Sequence, residues 1–560
     1  MKLNRWLATL LSAGLVLGLA ACGGSPGNTD SPGTTEPTSG WDINEQDRGN
    51  LAEGGEFRGS VQDFAANWNP FNIEGSGDDY SLVRDAIRAH FFDYDSEGTP
   101  VANSDYIADV QTVNSPNTIV TLKMNPAAVW GDGTAITAAD WIATWNAMNG
   151  KNTEFRAVST QGWASVSEVK QGADEREVVF TFDIAYPDWT QVLSSGPLRK
   201  ESCATPEAFN NGWSELKNEY FAGPFKVDSV DETQKIITLV PNDKWWGAKP
   251  LLTKITWRVV SADSVTSAFQ SNELDYLDVG VDADAYSRVQ QVGDAEVRNA
   301  GGPDFRQFTF NSKGGFLTDE KVRQAIVMGL DRTAIAASDL AGLNLDVSPL
   351  NNNIFMSNQS GYVDMAAKTG IDYNVDKAKA LLEEAGWTLN SSSGYYEKNG
   401  DQLDVRFKQL TGVAASENEA LQAQQMLKQI GVNLKIESVS ADSLDEKLLS
   451  GGDWDIIAFS WYGSPYPFAG VRQLYGTDSQ SNFAKLSISG LDDLLDKLDS
   501  ETDPAARTDL ANQAAEKIWT AVHTLPLYQR PDLVAVKKNL ANFGSMGFGS
   551  VKWENVGYLK

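Results

Sequence analysis

The sequence predicts an α/β body of two or three lobes behind an export signal, on three observations. About 520 residues follow a Gly/Ser/Pro/Thr-rich N-terminal stretch, more than one ordinary domain holds. Apolar residues make up 41% of the chain and aromatic ones 10%, ample for sizeable cores. Along the body, period-two strands alternate with 3.6-period helices.

The N-terminus gives the address. Lys2 and Arg5 precede an apolar run from Trp6 to Ala21, shorter than the roughly 20 residues of a membrane-spanning helix and suited to a signal-peptide core. Leu19-Ala20-Ala21-Cys22 resembles the lipobox of bacterial lipoproteins, in which the cysteine takes a lipid and becomes the new N-terminus. The plainer alternative is a secretory signal with a chance cysteine. The expectation is a signal over 1–21, lipidation at Cys22, and a tether to residue 50. Gly23 to Gly40 has almost nothing to bury and behaves as a flexible linker. The mature protein is expected outside the cytoplasmic membrane, anchored to its outer face.

In the body, Val120, Leu122 and Met124 alternate with polar neighbours as a half-buried strand, and Val178, Phe180, Phe182 and Ile184 do the same. Between them Thr137 caps a helix to Met148, with Asp140 in its first turn. Thr318 is expected to cap a helix with Val322, Ala325, Ile326 and Leu330 on one face. Asn374 caps another, which Gly386 ends in a left-handed turn. A third helix presents Ala423, Leu427 and Ile430 and stops at Gly431. The strand 432–436, a helical stretch near 444–449 and the strand 454–460 follow it. Asp503-Pro504 opens the last long helix, with Pro at the first helical position.

Composition also excludes. The formal charge is −29, and about −31 once Lys2 and Arg5 leave with the signal, which opposes nucleic-acid binding. With Cys22 lipidated, Cys203 has no partner, so the body holds no internal disulfide. Metal and catalytic patterns fail: there is no C-x-x-C, H-E-x-x-H, phosphate-binding glycine-lysine loop or G-x-S-x-G elbow. Only His90 and His523 exist, and His523 stands in apolar sequence that reads as packing. Asp93-x-Asp95-x-Glu97-Gly98 starts like a calcium loop but has Ser104 at its twelfth position, so it reads as an acidic turn between strands. No enzyme activity, cofactor or metal is expected.

Eight ordered segments resemble the family 5 extracellular solute-binding proteins, the peptide-, nickel- and opine-type receptors of ABC importers. They include Asn69-Pro-Phe-Asn72, Trp130-Gly-Asp-Gly-Thr134 with Thr137-Ala-Ala-Asp140, Gly223-Pro-Phe-Lys226, and Pro241 to Gly247 with Lys249-Pro250. Further along come Gln270 to Asp275, Phe310-Asn311 with Val322-Arg-Gln-Ala-Ile326 and Asp331-Arg332, Leu381 to Trp387, and Trp454-Asp455. The resemblance implies a two-lobed periplasmic-binding-protein type II-like fold with an extra inserted domain. Domain I would comprise 51–73, 206–300 and 526–560, the inserted domain II 74–205, and domain III 301–525. It also implies a monomer that binds a small solute between lobes and presents it to a membrane permease.

Ser460-Trp-Tyr-Gly-Ser-Pro-Tyr-Pro-Phe468 resembles the family's cleft loop. Peptide receptors carry there an aspartate that holds the ligand's α-ammonium, and this chain has Ser464, a hydroxyl without charge. Asp453 and Asp478 are candidate substitutes. The expected ligand-binding residues are Asn67, Trp68, Asn69, Trp461, Tyr462, Ser464 and Tyr466, with Trp461 and Tyr462 placed in a loop after the strand. Trp461→Ala is expected to weaken binding and leave the melting temperature of the empty protein nearly unchanged. An oligopeptide is the leading ligand, an oligosaccharide or other polar organic solute the alternative. A secreted hydrolase and a surface adhesin are remote alternatives.

Overall fold

The computed structural model describes residues 40–560 apart from 442, 443 and 445. The signal peptide, Cys22 and the tether as far as residue 39 lie outside the described residues. Two compact units emerge, Gly40–Ala300 with Asp532–Lys560, and Gly301–Pro531. The chain crosses between them within two long strands, Ala295–Phe310 and Thr524–Lys537. No helix among the described residues is long and apolar enough to cross a membrane.

The larger unit holds two four-stranded sheets. In one, Glu56–Val61 runs parallel to Lys254–Val259, followed by the antiparallel strands Ile236–Pro241 and Phe225–Asp231. The other is wholly antiparallel, in the order Ile107–Val113, Ile119–Met124, Glu177–Phe182, Val166–Gln171. Its alternation is the expected one, with Val120, Leu122, Met124, Val178, Phe180 and Phe182 inward. Ile184 departs from it: the strand ends at Phe182, and Ile184 is exposed while its carbonyl accepts the Thr118 amide. The helix Ala138–Met148 starts with a capping box, in which the Asp140 carboxylate accepts the Thr137 amide at 2.8 Å. Trp141 on that helix packs edge-on against Phe91 and Phe180, at 5.0 and 5.3 Å between ring centres. One apolar core joins both sheets, from Phe57 and Ile237 to Leu122 and Phe180.

In the unit Gly301–Pro531 the strand Ile456–Tyr462 lies antiparallel to Ala295–Phe310 and parallel to Asp404–Thr411. Asp404–Thr411 in turn pairs in parallel with Asn433–Ser440, and the helix Ala414–Gln429 connects those two strands. Asn374, Asp503 with Pro504, Gly386 and Gly431 begin and end helices as the sequence indicates. The Thr318 cap needs correction. Thr318 ends a 3₁₀ turn, its hydroxyl donates backward to the Gly315 carbonyl, and Asp319 caps the helix Glu320–Met328 instead. The expected strand 454–460 starts two residues later. Trp454 is buried ahead of it with its indole N–H on the Leu448 carbonyl, and Asp455 accepts the Arg406 amide.

Candidate functional site

Trp461 and Tyr462 belong to the strand and not to the loop after it. The strand Ala295–Phe310 is long enough to keep pairing, with Phe305 opposite Trp461 and Asp304 opposite Tyr462. Successive side chains face opposite sides of a sheet, so the two aromatics part company. Trp461 packs inward, flat against Phe483 at 6.0 Å and edge-on to Phe459 at 5.3 Å. Tyr462 is 47% exposed. Gly463 then leaves the strand with its amide on the Pro303 carbonyl. A Cβ there would stand 2.8 Å from the Met356 methyl and 3.0 Å from the Pro303 oxygen, so only glycine fits without a shift.

The loop turns back at Ser464, whose Oγ accepts the Tyr466 amide at 3.2 Å and whose carbonyl accepts Gln359 Nε2 at 3.1 Å. Both Ser464 and Tyr466 are buried. Together with Trp461, Tyr462 and Tyr466, Ser464 lines a hollow of about 60 Å³ walled also by Phe305, Met356 and Val471. An apolar cavity of about 150 Å³ takes a benzene, so this hollow takes the end of one side chain or a few waters. Its wall includes the buried residues Asn353 and Tyr475. Tyr475 donates to the Asn353 carbonyl at 3.0 Å, and Asn353 Nδ2 donates to Thr524 Oγ1 at 3.0 Å. His523 lies edge-on to Tyr475 with Nε2 on Asn482 Oδ1, and burial followed by the Arg323 charge pulls its pKa down to about 3. It is a neutral packing histidine, as its apolar sequence indicates.

Asn67, Trp68 and Asn69 lie in the other unit and form their own buried cluster. Asn67 Nδ2 donates to the Asn210 carbonyl and its Oδ1 accepts the Asn69 amide. Asn69 likewise bonds Phe209 and Phe71, and Trp68 meets Tyr80 edge-on at 5.4 Å. These polar atoms are engaged by their own loop and its neighbours.

Sequence reasoning missed two charged pairs on one face of the strand Ala295–Phe310. Arg306 forks onto Glu419, Nε to Oε1 at 2.9 Å and Nη2 to Oε2 at 2.5 Å, with both side chains buried. Beside it, Asp339 accepts Asn418 Nδ2 at 2.6 Å and the Tyr528 hydroxyl at 3.2 Å, and burial followed by the Glu419 charge pushes its pKa up to about 7. Two residues before Arg306, Asp304 Oδ2 pairs with Arg530 Nη1 at 3.0 Å. The one signal in the sequence was the opposite charges of Asp304 and Arg306 at alternate positions on either side of Phe305. Asp453, one of the candidate substitutes for the loop acid, is tied to Arg406 at 2.7 Å.

Elsewhere the groups are structural. Asp95 Oδ1 caps its own turn by accepting the amides of Glu97 and Thr99, between the strands Phe92–Tyr94 and Pro100–Ala102. Among the described residues no cluster of three or more His, Cys, Asp or Glu side chains is arranged to hold a metal ion.

The family model for bacterial extracellular solute-binding proteins, family 5 Middle, matches residues 101–483. The oligopeptide-binding protein OppA of Mycobacterium tuberculosis (strain ATCC 25618 / H37Rv) is 35% identical over 523 residues, covering 93% of this chain and 87% of its own. Among solved structures, the periplasmic EDTA-binding protein EppA superposes with a TM-score of 0.81 at 21% identity, over 92% of this chain and 98% of its own. The oligopeptide-binding protein AppA from Bacillus subtilis, in complex with a nonapeptide, gives 0.68 at 19% identity, over 91% and 100%. The fold is therefore the α/β type II periplasmic-binding-protein class.

Proposed function

Because the chain belongs to the family 5 bacterial extracellular solute-binding proteins, we propose that it is the receptor of an ABC importer and that its ligand is an oligopeptide. What carries the ligand class is the likeness, over nearly the whole chain, to a relative named for oligopeptide binding. The aromatic hollow beside Tyr462 fits this reading to the extent that it takes the end of one side chain. In this reading the protein binds without chemistry. A lipid on Cys22 tethers a monomer at the outer face of the cytoplasmic membrane, within reach of the permease. The inserted lobe at 74–205, and ligand contacts from Trp461, Tyr462, Ser464 and Tyr466 and from Asn67, Trp68 and Asn69, belong to the same proposal.

The test is a thermal-shift screen of the purified body against peptide and oligosaccharide panels. A ligand at 100 times its Kd stabilises the folded state by about 2.7 kcal/mol. A shift with peptides is the expected result. A shift with one sugar and none with any peptide mixture would replace the ligand class while leaving the receptor reading in place.

A further inference from the structure

A peptide with a free N-terminus brings a positive charge into its receptor, and a charge-assisted hydrogen bond is roughly twice as strong as a neutral one. The cleft loop offers no anion for it. Ser464 has only a hydroxyl, already accepting the Tyr466 amide, and Asp453 is bound to Arg406.

The adjacent strand offers one. Asp304 sits opposite Tyr462 in the antiparallel register, and the carbonyl of Pro303 next to it accepts the amide of Gly463. A carboxylate on this strand is thereby held beside the start of the loop that carries Ser464. The ion pairs made by Asp304 and Arg306, two residues apart on one face of the strand, differ in kind. Arg306 and Glu419 are bidentate and buried, which makes them part of the packing. Asp304 and Arg530 share a single bond at 3.0 Å, with side chains 12% and 29% exposed. Among the described residues the second oxygen of Asp304 takes no hydrogen bond. Arg530, with five donors, uses one.

The geometry points to Asp304 as the carboxylate that receives the ligand's α-ammonium in place of a loop aspartate, with Arg530 as its resident counter-ion. The inference rests on the oligopeptide reading above and names the group that recognises the peptide's amino end. The ammonium approaches the unengaged oxygen while Oδ2 stays with Arg530. Specificity for a free amine then comes from a strand held rigid by its neighbours, and not from the turn at 464–468.

The experiment is isothermal titration with a mixed-sequence pentapeptide library in two forms, free-amine and N-acetylated. The unmodified protein is expected to prefer the free amine by about 10- to 100-fold, the range for one hydrogen bond to a charged group. Asp304→Asn should lose that margin on the free-amine library and bind the acetylated one as the parent does. Asp304→Glu, which keeps the charge, should retain the preference. Equal binding of both libraries by the unmodified protein overturns the inference without any variant. So does an Asp304→Asn protein that keeps the preference, or one that loses both libraries equally. Failure of the oligopeptide reading itself looks different: the unmodified protein then binds neither library.

Discussion

Glu419 receives the Arg306 guanidinium on both of its oxygens while fully shielded from water. Such a pair is costly to break from one side, because the surviving charge stays buried. Arg306→Ala is expected to destabilise the unit Gly301–Pro531 by about 3–5 kcal/mol. Replacing both partners with apolar residues, Arg306→Met with Glu419→Leu, should recover most of the loss. Urea unfolding followed by fluorescence measures both, and an Arg306→Ala protein that unfolds with its parent would contradict the account.

Asp339 links this cluster to pH. Its folded pKa is raised to about 7, against an ordinary value of 3.8. The folded state therefore binds the proton more tightly than the unfolded one, and the group's contribution is full below about pH 4. It is lost as pH rises through 7. Asp339→Asn removes this titration, so the variant's melting temperature relative to the parent should climb between pH 4 and 8. A constant difference across that window would show that Asp339 titrates normally.

His523 has the opposite sign. Its folded pKa is lowered to about 3 from 6.5, so its contribution is full above 6.5 and fades as pH falls toward 3. His523→Phe keeps a ring against Tyr475 and loses the bond to Asn482, a loss of about 1 kcal/mol near neutrality. On acidification the variant should close on the parent and pass it. Differential scanning calorimetry from pH 7.5 to 4 follows the crossing, and parallel curves would refute it.

Trp461 and Tyr462 separate stability from binding. With Trp461 stacked on Phe483 and 5% exposed, Trp461→Ala should cost about 3–5 kcal/mol in the empty protein, contrary to what the loop placement implied. Tyr462→Ala, at a half-exposed side chain, should cost the empty protein far less stability than Trp461→Ala and weaken peptide binding. If Tyr462→Ala melts early or binds normally, Tyr462 is no ligand contact.

Helix starts were legible because their signals are local. The Thr137–Asp140 box, the Asn374 cap and the Asp503-Pro504 start each lie within four residues. At Thr318 a competing local bond intervenes: the hydroxyl turns back to Gly315 within its own 3₁₀ turn, and the next residue, Asp319, caps the helix. Strand ends were harder. Trp461 and Tyr462 stay in the sheet because residues 304 and 305, some 150 positions earlier, are there to pair with them. The loop of the site could be located from its motif, and Tyr462, Ser464 and Tyr466 do gather at one hollow. Asp304 and Arg530 could not be joined from sequence, being 226 residues apart with no spacing rule to connect them.

Cys203 is buried among the contacts of its helix, and burial pushes its thiol up to about 12. At neutral pH almost none of it is thiolate, the form that alkylating reagents attack. A version of this chain beginning at residue 40 thus carries no reactive sulfur of its own. Any cysteine introduced on its surface becomes the one position a maleimide dye or spin label finds. Pairs of such labels, one in each unit, would read the distance between them with no background to subtract.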